Sequence, residues 1–103
     1  MHEITGTWRL RMKTPLGTID AVYRFTDTGG GLTGTATGAG EEVPLREITS
    51  EPAADGRRVT WKQRITKPMR LDLDYDVTVT GDRLSGHSRA GRLPRTAVTG
   101  ERA

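Results

Sequence analysis

Apolar and polar residues alternate with a period of two along most of this chain, and Gly, Pro and Asp interrupt the alternation at short intervals. No stretch repeats apolar residues at the spacing of a helix face. The pattern is that of half-buried strands joined by tight turns. A first strand is expected over residues 4–12, with Ile4, Gly6, Trp8, Leu10 and Met12 on one face and Thr5, Thr7, Arg9 and Arg11 on the other. A Thr14-Pro15-Leu16-Gly17 turn leads to a second strand over 17–26, with Ile19, Ala21, Tyr23 and Phe25 inward. The third, over 31–39, places Leu32, Gly34, Ala36 and Gly38 inward. The fourth, over 41–48, places Val43 and Leu45 there.

The run Glu51-Pro52-Ala53-Ala54-Asp55-Gly56 reads as the longest loop. The fifth strand, over 57–65, buries Val59, Trp61, Gln63 and Ile65, and Lys67-Pro68 turns the chain. The sixth, over 69–80, alternates most cleanly: Met69, Leu71, Leu73, Tyr75, Val77 and Val79 against Arg70, Asp72, Asp74, Asp76, Thr78 and Thr80. The seventh, over 83–90, carries Leu84, Gly86, Ser88 and Ala90 on one face. The last, over 94–102, carries Thr96, Val98, Gly100 and Arg102. Eight short strands on short connections predict an all-β fold, a single antiparallel up-and-down eight-stranded β-barrel, occupying residues 1–103 as one domain. Closure removes the edges of an open sheet, and a two-sheet sandwich would need longer crossovers than this chain offers.

Three segments carry a resemblance. Ile4-Thr5-Gly6-Thr7-Trp8, Gly31-Leu32-Thr33-Gly34-Thr35 and Val59-Thr60-Trp61-Lys62 resemble the avidin and lipocalin (calycin-type) group of eight-stranded barrels. By motif the resemblance covers roughly the first two thirds of the chain. It implies an arginine of the last strand, here Arg102, packed over Trp8. It does not imply biotin binding. Arg9-Leu10-Arg11-Met12 and Thr35-Ala36-Thr37 stand where that family places the polar side chains for the ureido ring, and their loss would leave buried ligand groups unpaired. A looser similarity of architecture connects the chain with small bacterial barrel cyclases.

The inward list is apolar with a few polar members, the composition of a small-molecule pocket. Trp8, Leu10, Phe25, Trp61, Gln63, Leu71, Leu73 and Ser88 are the expected ligand-binding residues. Tyr23 and Tyr75 are the candidate catalytic pair, since a phenol can polarise a carbonyl. In the plainer alternative the same side chains fill the barrel and each hydroxyl satisfies a rim carbonyl. The small residues Gly34, Ala36, Gly38, Gly86 and Ala90 either leave volume for a ligand or let the barrel flatten and close. The functional expectation is a binder of a hydrophobic metabolite, extending to a cofactor-independent cyclase or isomerase. A non-catalytic carrier or sensor, or a structural or protein-interaction barrel with a filled core, is the alternative.

Charge and composition narrow this further. Charged residues make up 28% of the chain and the net charge is +3, but acids and bases are interleaved, so no nucleic-acid partner is expected. Asp72, Asp74 and Asp76 form an outer stripe, which cross-strand pairing with Arg58, Lys62, Arg64, Arg83 and Arg89 would explain. With no cysteine, and with His87 facing outward and His2 at the N-terminus, no metal site and no cofactor are expected. Gly29-x-Gly31-x-x-Gly34 leads into a strand and reads as a turn rather than a dinucleotide site. The first residues lack a leader pattern and no apolar run spans a bilayer, so no membrane and a cytoplasmic location are expected. Few outward residues are apolar, chiefly Val22 and Ala97, which suits a monomer or small homo-oligomer. Arginine dominates over Lys13, Lys62 and Lys67, as a GC-rich bacterial genome would produce.

Overall fold

The structure, a computed structural model, describes residues 4–14, 17–38, 40–66 and 70–103. Its regular elements are all strands: β1 (Gly6–Thr14), β2 (Gly17–Asp27), β3 (Leu32–Gly38), β4 (Glu41–Pro44), β5 (Arg46–Ala53), β6 (Gly56–Ile65), β7 (Leu71–Thr80), β8 (Arg83–Ala90) and β9 (Thr96–Arg102). They form one antiparallel sheet in the order β4-β3-β2-β1-β9-β8-β7-β6-β5. The sheet has nine strands, not the eight expected, and it rolls into a barrel with one unsealed seam.

The extra strand has a local cause. Residues 41–53 form one continuous extended run that changes partner at Leu45. Before Leu45, β4 pairs with β3 (Ala36 opposite Val43); after it, β5 pairs with β6 (Thr49 opposite Thr60). The two ends of the sheet are therefore joined covalently at Leu45, whose N–H donates to the Gly34 carbonyl at 2.9 Å. Beyond this point β4 and β6 face each other without a ladder. The Glu41 carboxylate spans the gap, accepting from the Thr66 backbone N–H at 2.8 Å and from its hydroxyl at 2.6 Å.

The expected long loop at 51–56 is also corrected. Pro52 and Ala53 belong to β5, and only Ala54 and Asp55 turn. Pro52 reads as a strand breaker, but β5 is an edge strand, where a missing N–H costs no ladder bond. A register shift between Arg46 and Thr49, with Glu47 at φ 51°, marks a bulge that bends β5 over the seam. The first and last strands begin at Gly6 and Thr96, two residues later than expected. The readings at Met1–Glu3, Pro15–Leu16, Ala39 and Lys67–Met69, including an inward Met69, lie outside the described residues.

Alternation puts the apolar face inside. Ile4, Trp8, Leu10, Phe25, Val59, Trp61, Val77, Val79, Leu84 and Val98 are all at most 3% exposed. Each large side chain so buried contributes roughly 1.5–3 kcal/mol. The barrel is finished differently at its two ends. At the end holding the start of β1, Trp8 donates its indole N–H to the Ile4 carbonyl at 2.7 Å. Arg102 lies over the Trp8 ring at 4.4 Å, as the resemblance implied. Its guanidinium also bonds the Thr5 carbonyl and the Asp82 carboxylate. At the other end the inward residues thin out. Met12, Val43 and Gln63 are still buried, Ala21, Ile65, Leu71, Leu73, Ala90 and Thr96 are half-buried, and Ile19, expected inside, is 36% exposed. Ile19 lies opposite Met12, on the same face.

Two of the small inward residues, Gly34 and Gly86, leave no room for a side chain. A Cβ at Gly86 would fall inside the Asp76 carbonyl oxygen and 2.6 Å from the Val77 Cα. One at Gly34 would lie 2.9 Å from both the Arg24 carbonyl oxygen and a Leu45 methyl. At these two positions glycine marks close approach of backbone and neighbours.

Candidate functional site

The inward-facing polar residues converge midway along the barrel. Trp61 and Gln63 stand on β6, Tyr75 lies opposite Trp61 on β7, and Ser88 lies opposite Tyr75 on β8. Tyr23 reaches them from β2 across the interior. Its hydroxyl lies 3.0 Å from Gln63 Oε1 and 3.1 Å from the Tyr75 hydroxyl, and the Trp61 indole N–H donates to the same Gln63 Oε1 at 3.0 Å. Trp61 and Tyr75 stack at 4.9 Å with their planes 8° apart, and the Phe25 edge meets Trp61 at 5.2 Å. The rings fix the positions of the hydroxyls, and the hydroxyls fix the amide.

The orientation of Gln63 follows from chemistry. An indole N–H can only donate, so the atom facing it must be the amide oxygen. That oxygen accepts from Trp61 and Tyr23, and the amide nitrogen faces away from both. The nitrogen has no protein partner among the described residues, although Gln63 is 5% exposed. No buried side-chain polar atom of the described residues lacks a partner, so this nitrogen touches solvent.

Burial sets the electrostatics. Desolvation raises the Tyr23 pKa well above its ordinary value, and the neighbouring Tyr75 raises it further; the Gln63 hydrogen bond pulls back only in part. Tyr75 is also raised, again by burial, with hydrogen bonds from Tyr23 and Ser88 acting in the opposite direction. Both phenols are neutral at ordinary pH. Neither serves as a base, and Tyr23, whose one proton goes to Gln63 Oε1, would have to give up that bond to polarise a carbonyl.

The structure thus brings Tyr23, Tyr75, Trp61, Gln63, Ser88 and Phe25 together. Leu73 lies opposite Gln63 in the ladder, and Leu71, opposite Ile65, lies one step nearer the rim. Trp8, also expected at the site, lies opposite Tyr23 in the β1–β2 ladder, but its indole N–H is given to the Ile4 carbonyl and its ring is covered by Arg102, so it adds no polar group to the cluster; Leu10 is buried opposite Ala21. Two residues outside the expected set shape the open end: Glu41, which spans the gap to Thr66, and Ile19, which stands at the rim. Glu41 carried no sequence signal, because its role depends on a seam that alternation does not reveal.

The outer face is ion-paired in part. Arg58 holds Asp76 through two bonds of 3.0 and 2.7 Å, Arg64 holds Asp72 at 2.7 Å, and both carboxyls fall below the usual range. Lys62 approaches Glu47 at 3.7 Å rather than Asp74, the aspartate opposite it in the ladder. Two clefts open on this outer surface. One, of about 790 Å³, lies between Arg9, Arg11, Arg83 and Thr99, and one of about 290 Å³ between Lys62, Asp74, His87 and Arg89. Among the described residues no group of acids and histidines could hold a metal ion, and no helix is long and apolar enough to cross a membrane.

Fold and site together define a small, nearly closed antiparallel β-barrel with a hydrogen-bonded aromatic interior. Comparison with family models, curated proteins and solved structures finds no match to this chain.

Proposed function

We propose that this barrel binds a small hydrophobic molecule at its open end, with Leu71 and Ile19 on the rim, Leu73 beside Gln63, and Tyr23, Tyr75 and Ser88 further in. One observation carries the reading: a hydrogen-bonded polar cluster lies next to half-buried apolar residues toward one end, while the opposite end is covered by Ile4, Trp8 and Arg102. An apolar rim in water is the costly half of that arrangement, and a ligand would cover it. The Arg102–Trp8 contact supports a calycin-like relationship, and the exposed large hydrophobics of the described residues, Ile19 and Leu93, are few enough to suit a monomer or small homo-oligomer. Turnover by cyclisation or isomerisation would draw on Tyr23 and Tyr75 as neutral donors, without a cofactor.

The test is methyl-detected NMR during titration with apolar aromatic probes. Shifts are expected at Met12, Ile19, Ile65, Leu71 and Leu73. No shifts, or shifts confined to residues of the outer clefts, would overturn the reading and favour a filled structural barrel. For a ligand that is converted, Tyr23→Phe should lower turnover while affinity is retained; a carrier should show only a small change in affinity.

A further inference from the structure

The Gln63 amide carries information about what the site takes. Its oxygen is fully committed to the Trp61 indole and the Tyr23 hydroxyl, at 3.0 Å each. Its nitrogen offers two N–H donors and meets no protein acceptor among the described residues. The residue is nonetheless 5% exposed, so those donors are held in a mostly apolar setting at the base of the rim. The amide cannot reverse to present its oxygen without placing an N–H against the indole N–H. The polarity offered to an incoming molecule is therefore fixed by the protein.

We infer that the ligand enters with an uncharged hydrogen-bond acceptor leading, a ketone or ester carbonyl on an apolar body, and that this carbonyl accepts from the Gln63 side-chain nitrogen. The inference rests on the reading of the open end as a binding site. A donor group, such as an alcohol offered only through its proton or an amine, would meet N–H against N–H. A carboxylate would be desolvated beside two neutral phenols. Among the described residues the cations on the inward face include Arg57, which donates to Ser50 opposite the Val79 end of β7, and Arg102, which is engaged with Trp8, Thr5 and Asp82; both lie toward the closed end. Gln63 acts here as a specificity-determining residue.

A matched pair of probes tests this: 2-acetylnaphthalene and 2-ethylnaphthalene, which differ by a carbonyl in place of a methylene. The protein should bind the ketone roughly ten-fold more tightly, the share expected of one net hydrogen bond. The Gln63 side-chain NH₂ resonances should move with the ketone and stay in place with the hydrocarbon. In Gln63→Met, checked for folding by near-ultraviolet circular dichroism, the two affinities should become equal. The NH₂ resonances of the unaltered protein give the same answer if that variant does not fold. Equal binding of both probes, unmoved NH₂ resonances, or a ketone preference that survives in Gln63→Met would overturn the inference while leaving the binding site standing. Binding of neither probe would overturn the site itself.

Discussion

Raising the pH attacks this barrel through its two tyrosines. Tyr23 and Tyr75 are the only tyrosines in the chain, and both are buried. Burial raises both pKa values above the ordinary value of 10.0. Above pH 10 the unfolded chain sheds two phenol protons that the folded chain keeps, so the unfolded state is favoured as pH rises. The stabilising contribution is whole below the unfolded pKa and is lost progressively as pH climbs toward the folded values. Each tyrosine contributes about 1.4 kcal/mol per pH unit in that window, hence about 2.7 kcal/mol per unit for the pair. That loss draws on a net stability of about 5–15 kcal/mol, of which a small domain holds the lower part, so the unfolding midpoint should fall as pH rises above 10. The assay is phenolate absorbance recorded with far-ultraviolet circular dichroism across the alkaline range. Phenolate should appear late, steeply and together with loss of the strand signal. A smooth titration of either tyrosine near pH 10 with the strand signal intact would refute the burial argument.

Two further perturbations probe the frame. Gly86→Ala should destabilise by about 3 kcal/mol or unfold the protein, because its Cβ would press on the β7 backbone, whereas Gly30→Ala, with nothing within 4 Å, should be near neutral; thermal denaturation of the two variants compares them. Arg102→Ala should cost about 2–3 kcal/mol through the lost ring contact and the Thr5 and Asp82 bonds, and Arg102→Lys about half as much, since an ammonium keeps the charge but not the fork. Denaturant unfolding measures both, and an Arg102→Ala midpoint equal to that of the unaltered chain would show that the clamp adds no stability.

Much of this architecture is legible in the sequence, and the exceptions have physical reasons. The unbroken alternation from Leu71 to Thr80 gives β7 both its extent and its inward face. Trp8 and Arg102 can be paired in advance because a Gly-x-Trp and a late arginine on one face form a recognisable combination. The change of partner at Leu45 is invisible, because a strand that pairs left and then right alternates like one that keeps a single partner. Pro52 hides half of β5, since the rule that proline breaks strands is relaxed at an edge. Gly86 is ambiguous in sequence: a missing side chain means a void or a close approach, and only the backbone of β7 decides between them. The meeting of Tyr23 with Gln63 and Tyr75, separated by 40 and 52 positions, depends on the sheet rolling up. Each of those residues can be assigned to the interior from its own strand, but none can be assigned to another.

The strand order has a consequence for how the barrel assembles. The strand that comes last along the chain, β9, occupies the middle of the sheet, with β1 on one side and β8 on the other. Until it is in place, β1–β4 and β5–β8 are two meandering leaves hinged at Leu45, each with an unpaired inner margin. Neither leaf alone buries both faces of the Tyr23–Trp61–Tyr75 stack, because Tyr23 belongs to one and its partners to the other. The chain is built like a book that shuts only when its final page is slipped between the covers, and Arg102, laid across Trp8, is the clasp.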